Sequence, residues 1–118
     1  IEERTVWLLF HEGRVALRRR PARGLLANLW EYPNELADGT DWPASWGLDT
    51  VPLERLGAGK HIFTHIEWHM TAMGGELGSA DLPEGWVWAD RRELRDIYAI
   101  PNAFQSFAQI VADQLGRF

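Results

Sequence analysis

Residues 60–73 alternate with a period of two. Even positions carry Ile62, Thr64, Ile66, Trp68, Met70 and Ala72; odd positions include His61, His65, Glu67, His69 and Thr71. On extended backbone that period gives one apolar and one polar face, so the run predicts β-structure lying against a core. Phe63 breaks the alternation, which predicts a loop or bulge around Phe63-Thr64. A second amphipathic pattern closes the chain, where Phe104, Phe107, Ala108, Val111 and Leu115 recur at helical spacing. Such a stripe has to be covered, and a sheet is the surface on offer. A sheet with helices on its faces is the α+β class, here with a C-terminal amphipathic helix.

The rest of the chain fits that plan. Residues 5–10 and 14–20 read as two strands joined by His11-Glu12-Gly13, and Pro21 ends the second ladder. Residues 25–29 form an apolar loop leading into Trp30-Glu31-Tyr32-Pro33. From Asn34 to Pro52 turn residues dominate, with room for a short helix within residues 41–47. Gly74-Gly75 predicts a turn, residues 76–79 a short returning strand and residues 85–89 another strand. Asp90 with Glu93, and Asn102 with Gln105, have the spacing of capping boxes, each opening a helix. No internal repeat or linker interrupts residues 1–118, which are expected to form one domain; a chain of 118 residues can bury one real core.

Composition narrows the function. Apolar residues make up 46% and charged residues 25%, values of an ordinary folded domain rather than a disordered one. The longest apolar stretches, such as Val6-Trp7-Leu8-Leu9-Phe10, fall far short of a membrane span, and the opening Ile1-Glu2-Glu3-Arg4 has no signal-peptide character. Cysteine is absent, which removes disulfides, thiolate metal sites, iron–sulfur clusters and a cysteine nucleophile from this chain. The net charge of −5 argues against tight nucleic-acid binding by the chain alone, since phosphate contacts carry most of that affinity. Seven tryptophans suggest a core or groove built on large flat side chains, most of them packing.

Few residues suggest chemistry. His61, His65 and His69 sit four apart, about 13 Å per step on a strand, so all three cannot ligate one ion. His65, Glu67 and His69 share closer spacing, but a solvated polar strand face explains them as well. The serines lack a glycine-framed elbow. The one basic cluster is Arg18-Arg19-Arg20-Pro21-Ala22-Arg23. It reads either as a solvated edge that blunts strand pairing or as a phosphate-backbone patch, useful only if another domain supplies the main affinity.

The hairpin, the Gly-Leu step and Trp30-Glu31-Tyr32-Pro33 before a crossover resemble the Nudix fold. Nudix hydrolases need a glutamate-rich helix to hold Mg²⁺ against a pyrophosphate. In its place stands Glu35-Leu36-Ala37-Asp38-Gly39-Thr40-Asp41-Trp42-Pro43-Ala44-Ser45-Trp46-Gly47-Leu48, without an Arg-Glu step or a close glutamate pair. A Nudix-like scaffold without the metal site is therefore expected, and no metal is assigned.

Three segments together are similar to the C-terminal domain of the MutY family, the adenine DNA glycosylases acting on adenine opposite 8-oxoguanine. They are Arg18-Arg19-Arg20-Pro21-Ala22-Arg23-Gly24-Leu25-Leu26-Ala27-Asn28-Leu29-Trp30-Glu31-Tyr32-Pro33, Lys60-His61-Ile62-Phe63-Thr64-His65 and Tyr98-Ala99-Ile100-Pro101-Asn102-Ala103-Phe104. The resemblance implies a Nudix-like domain that reads the damaged base and is not catalytic alone. It also implies a helical catalytic domain with an iron–sulfur cluster, absent from this chain. The partner would be duplex DNA containing 8-oxoG:A, bound in concert with that domain. The protein would be DNA-associated in the cytoplasm if bacterial, and the isolated domain a monomer.

The family's Phe-Ser-His reading loop falls on Phe63, Thr64 and His65. 8-Oxoguanine differs from guanine by an N–H at N7 and an acceptor at O8, so a hydroxyl beside a backbone N–H can tell them apart. By the resemblance Thr64 accepts from N7–H, Phe63 stacks or wedges beside the base, and His65 orients the loop or touches a phosphate. Thr64 replaces the family's serine, keeping the hydroxyl and adding a methyl that stiffens χ1. Arg18, Arg20, Arg23 and Lys60 are the candidate backbone contacts. Two other readings stay open: a divergent Nudix hydrolase acting on oxidised nucleoside triphosphates, and a protein-interaction module using exposed tryptophans.

Overall fold

In a computed structural model, which describes residues 1–48 and 52–116, strand β1 (Glu2–His11) runs through the middle of a mixed sheet. Its residues Val6, Leu8 and Phe10 enter one apolar cluster, while Trp7 and Leu9 enter another on the opposite face. Burial on both sides is why this strand reads as a continuous apolar run instead of an alternating one. Strand β6 (Glu67–Glu76) lies parallel to it, from Glu2 opposite Trp68 to Phe10 opposite Glu76. On its other edge β1 pairs antiparallel with β2 (Arg14–Arg19) and β4 (Asn34–Leu36). The β1–β2 turn is Glu12-Gly13, both residues with positive φ, as the tight hairpin twist requires. Strands β3 (Trp30–Glu31) and β7 (Val87–Ala89) pair with β2, and β5 (Glu54–Ile62) pairs antiparallel with β6 at the far edge.

The helices cover the two faces. Helix α1 (Trp42–Ser45) is capped by Asp41, whose side chain accepts from the Ala44 amide at 3.2 Å. Trp42 and Trp46 pack there with Trp7 and Trp86, Trp46 lying edge-on to Trp7 and Trp86 at 5.1 and 5.0 Å. Helix α2 (Arg91–Asp96) opens on the expected capping box between Asp90 and Glu93. The opposite face carries a 3₁₀ segment, Asn102–Phe107, that runs into α3 (Ala108–Leu115). Phe104, Phe107, Val111 and Leu115 are buried on the sheet, whereas Ala108 faces out. Among the described residues, no helix is long and apolar enough to cross a membrane.

Several sequence expectations are corrected. Gly74-Gly75 is not a turn but continues β6, and residues 76–79 form no returning strand. The reason is a close approach: a Cβ on Gly74 would lie 2.1 Å from the Leu8 carbonyl oxygen. Asn102 caps nothing, because Pro101 holds the cap position and the segment is 3₁₀, which stacks residues three apart and so buries Phe104 and Phe107 together. Residues 34–36, read as the start of a turn-rich stretch, form β4.

Candidate nucleic-acid interface

The break at Phe63-Thr64 is a chain reversal. Ile62 opposite Glu67 is the last pair of the β5–β6 ladder, and the Phe63 amide donates to the Ile66 carbonyl at 2.7 Å to close a four-residue turn. Before the turn the apolar face is lost: Ile62, expected inside, is 63% exposed. After it Trp68, Met70 and Ala72 are buried as the alternation predicts. Thr64 and His65 sit exposed at the tip, and Thr64 makes no side-chain hydrogen bond among the described residues. Its hydroxyl is free for an outside partner.

Phe63 anchors the turn. Its ring is half-buried, edge-on to Trp68 at 4.9 Å and to His61 at 4.7 Å. Trp68, 1% exposed, is the hub of the region. The guanidinium of Arg4 lies 4.6 Å from its ring centre and that of Arg20 lies 5.3 Å away, while Phe104 packs at 6.1 Å. Trp30 meets Tyr98 edge-on at 4.8 Å. The three segments singled out in the sequence are thus brought together around one aromatic cluster. Strand β5 lies so close to the 3₁₀ segment that a Cβ on Gly59 would stand 2.4 Å from Ser106.

The basic residues divide into two groups. Arg18 is fully committed: Nε donates to Glu31 at 2.8 Å, Nη1 to Glu35 at 2.9 Å and Nη2 to the Asn34 carbonyl. Arg20 donates through Nε to the Leu25 carbonyl at 2.9 Å and through Nη1 to Glu31 at 2.8 Å. Both side chains are mostly buried, 17% and 15% exposed. Arg23 and Lys60 are exposed and make no ion pair among the described residues.

Sequence reasoning gave no role to the residues that organise this region. Glu31 is 1% exposed and receives Arg18, Arg20 and the Asn34 side-chain amide, the last at 2.7 Å. Asn34 also accepts from Arg4 Nε at 3.0 Å, which ties β1 to the same network. The available signal was an acid standing between Trp30 and Tyr32, downstream of an arginine run: a buried charge has to be paired. Next to it, burial pushes the Tyr32 phenol up to about 12.

Among the described residues, the side chains do not suit a divalent cation. Helix α1, standing where a metal-binding helix would be needed, consists of Trp42, Pro43, Ala44 and Ser45. The nearby carboxylates of Glu31 and Glu35 are engaged by arginines. Among the described residues no group of three or more His, Asp or Glu side chains is arranged to hold a metal ion. His69 instead lies 3.1 Å from Glu67 and 3.6 Å from Glu3, and His65 stands apart on the turn.

Residues 5–109 match the NUDIX domain family. Adenine DNA glycosylase of Rattus norvegicus is 30% identical over 99 residues, covering 70% of this chain and 19% of that protein. The chain therefore spans about a fifth of the relative's length. The C-terminal domain of mouse MUTYH, solved in complex with human PCNA, superposes with a TM-score of 0.76 at 22% identity, covering 97% of this chain and 89% of that one. MutT protein from Methanosarcina mazei Go1 gives 0.72 at 17% identity, covering 96% and 94%. At those identities the two structures establish the shared fold.

Proposed function

Since the chain belongs to the NUDIX domain family yet lacks a carboxylate cluster suited to a metal among its described residues, we propose that it is the damage-recognition domain of an adenine DNA glycosylase. It reads 8-oxoguanine opposite the target adenine and leaves base removal to a separate catalytic domain. The observation that carries this reading is the Thr64 hydroxyl, exposed and unpartnered at the tip of a short turn whose neighbouring ring is seated on Trp68. A hydroxyl accepting from N7–H meets a donor that 8-oxoguanine has and guanine lacks. Phe63 supports the turn and offers an aromatic edge beside the base, while His65 orients the turn or touches a phosphate. The 30% identity to a named adenine DNA glycosylase supports the same reading.

Of the four candidate backbone contacts, Arg23 and Lys60, exposed and without an ion pair among the described residues, approach the DNA backbone; Arg18 anchors the patch from within. With a net charge of −5, this domain positions the lesion while the catalytic domain, with its iron–sulfur cluster, holds the duplex. The complete protein is DNA-associated, in the cytoplasm if it is bacterial, and the isolated recognition domain is a monomer.

Two measurements test this assignment. Joined to a glycosylase catalytic domain stripped of its own reader, the chain confers a preference for 8-oxoG:A over G:A in single-turnover adenine release. Incubated alone with Mg²⁺ and 8-oxo-dGTP, it releases no pyrophosphate. An unchanged preference in the first, or metal-dependent release in the second, would make it a hydrolase or a module of another kind.

A further inference from the structure

Beside the hub tryptophan, Arg4, Arg18, Arg19 and Arg20 line a surface pocket of about 320 Å³ together with Glu31 and Glu35. Its arginines come from β1, from β2 and from the residue that follows β2. Folding brings them together from sequence positions as distant as 4 and 20. Like charges this close need a brace, and Glu31 supplies it by receiving Arg18 and Arg20 at 2.8 Å each.

The bracing leaves donors over. Arg18 has no nitrogen to spare, but Arg20 keeps Nη2, Arg4 keeps Nη2, and Arg19, whose Nε donates to the Asn28 carbonyl at 3.0 Å, keeps both amino groups. Arg19 is exposed, and Nη2 of Arg4 and of Arg20 is not among the buried polar atoms left without a partner, so these donors remain available at the pocket. Counting Glu2, which pairs with Arg4, four arginines face three carboxylates, and one positive charge is left over in a chain of net −5.

We infer that this pocket is a seat for a single phosphate group, bound by Arg4, Arg19 and Arg20 and pre-organised by Glu31. A tetrahedral oxyanion with several acceptor oxygens suits planar guanidinium donors converging from separate strands, and it neutralises the residual charge. Arg20 reaches over the same Trp68 ring on which Phe63 rests, so the seat adjoins the turn of residues 63–66. The phosphate is supplied either by a nucleic-acid strand entering that turn or by a free nucleotide. The inference rests on the pocket alone and does not require that the turn reads 8-oxoguanine.

The test follows arginine Nε–H resonances of the chain during titration with inorganic phosphate, dGMP and an undamaged short oligonucleotide without terminal phosphates. Ionic strength is balanced with chloride. Saturable shifts are expected at Arg4, Arg19 and Arg20 with at least one probe, and the tighter of dGMP and the oligonucleotide identifies the source. Arg4→Gln and Arg19→Gln each weaken that binding about tenfold, the worth of one charge-assisted contact. Arg95→Gln, removing an exposed cation on α2, leaves it unchanged. Arg19→Gln alters a side chain at the surface, so its dispersed amide spectrum and unchanged melting keep the test valid even if Arg4→Gln unfolds. No saturable shift with any probe, or equal weakening by Arg95→Gln, would overturn the seat. Because the oligonucleotide carries no lesion, that failure leaves the recognition of 8-oxoguanine untouched.

Discussion

Phe63 rests edge-on against Trp68 with ring centres 4.9 Å apart, and this contact couples an exposed turn to the buried core. Phe63 also closes the turn through its amide bond to Ile66. Trp68→Leu removes the surface on which the turn is seated. Loss of so large a buried side chain is expected to cost about 3 kcal/mol in urea unfolding. The Phe63 amide should also exchange faster under native conditions than the amides of β1, which a uniform loss of stability would not produce.

Glu31→Gln keeps the shape of the buried side chain and removes its charge. Arg18 and Arg20 then face each other across a neutral amide. The expected loss is on the order of 3 kcal/mol, since removing one partner of a mostly buried pair leaves the other charge uncompensated. Equilibrium denaturation measures it. A change within a few tenths of a kcal/mol would mean that water already screens the network.

Gly74→Ala tests the parallel pairing of β1 with β6. The added methyl would stand 2.1 Å from the Leu8 carbonyl oxygen and 2.8 Å from a Leu56 methyl. Backbone cannot yield as a side-chain end can, so destabilisation of about 3 kcal/mol or more, or failure to fold, is expected. Gly75→Ala at the next position, where the nearest neighbour is a Leu53 methyl at 3.5 Å, is expected to be much milder.

Much of this fold was legible in the sequence. Period-two alternation located β6, the Asp90–Glu93 box located the start of α2, and the break at Phe63 located the reversal. What escaped depended on long-range contacts. The parallel neighbour of β1 lies across most of the chain, and β4 is only three residues long, below any periodic signal. Gly74 looked like a turn because glycine pairs usually mark turns, whereas here the missing Cβ lets two strands meet. At the candidate site the exposed turn that carries Phe63, Thr64 and His65 was legible as a break in the alternation, but the partners of the arginines were not. Charge counting cannot tell a solvated arginine from one bound to a buried Glu31.

Tyr32 gives a pH signature. Its phenol is pushed up to about 12 by burial, from an ordinary value near 10. The neutral phenol is favoured in the folded state, so its contribution is complete below pH 10 and is lost as pH rises towards 12. The unfolded chain ionises first over that window. Relative to Tyr32→Phe, the unsubstituted protein should lose roughly 2–3 kcal/mol of stability between those pH values. Parallel stability curves for the two proteins would show that Tyr32 is more accessible than its packing indicates.

The central claim is that the Thr64 hydroxyl reads the lesion, and substitutions in the complete glycosylase test it most directly. The measurement is the ratio of single-turnover adenine-release rates on 8-oxoG:A and G:A duplexes. Thr64→Ser keeps the hydroxyl and should keep the ratio. Thr64→Val keeps the branched shape without the hydroxyl and should lower the ratio about tenfold or more, as expected for the loss of one base-edge contact worth about 1–3 kcal/mol. A Thr64→Val enzyme that discriminates as well as the unsubstituted one would contradict the account.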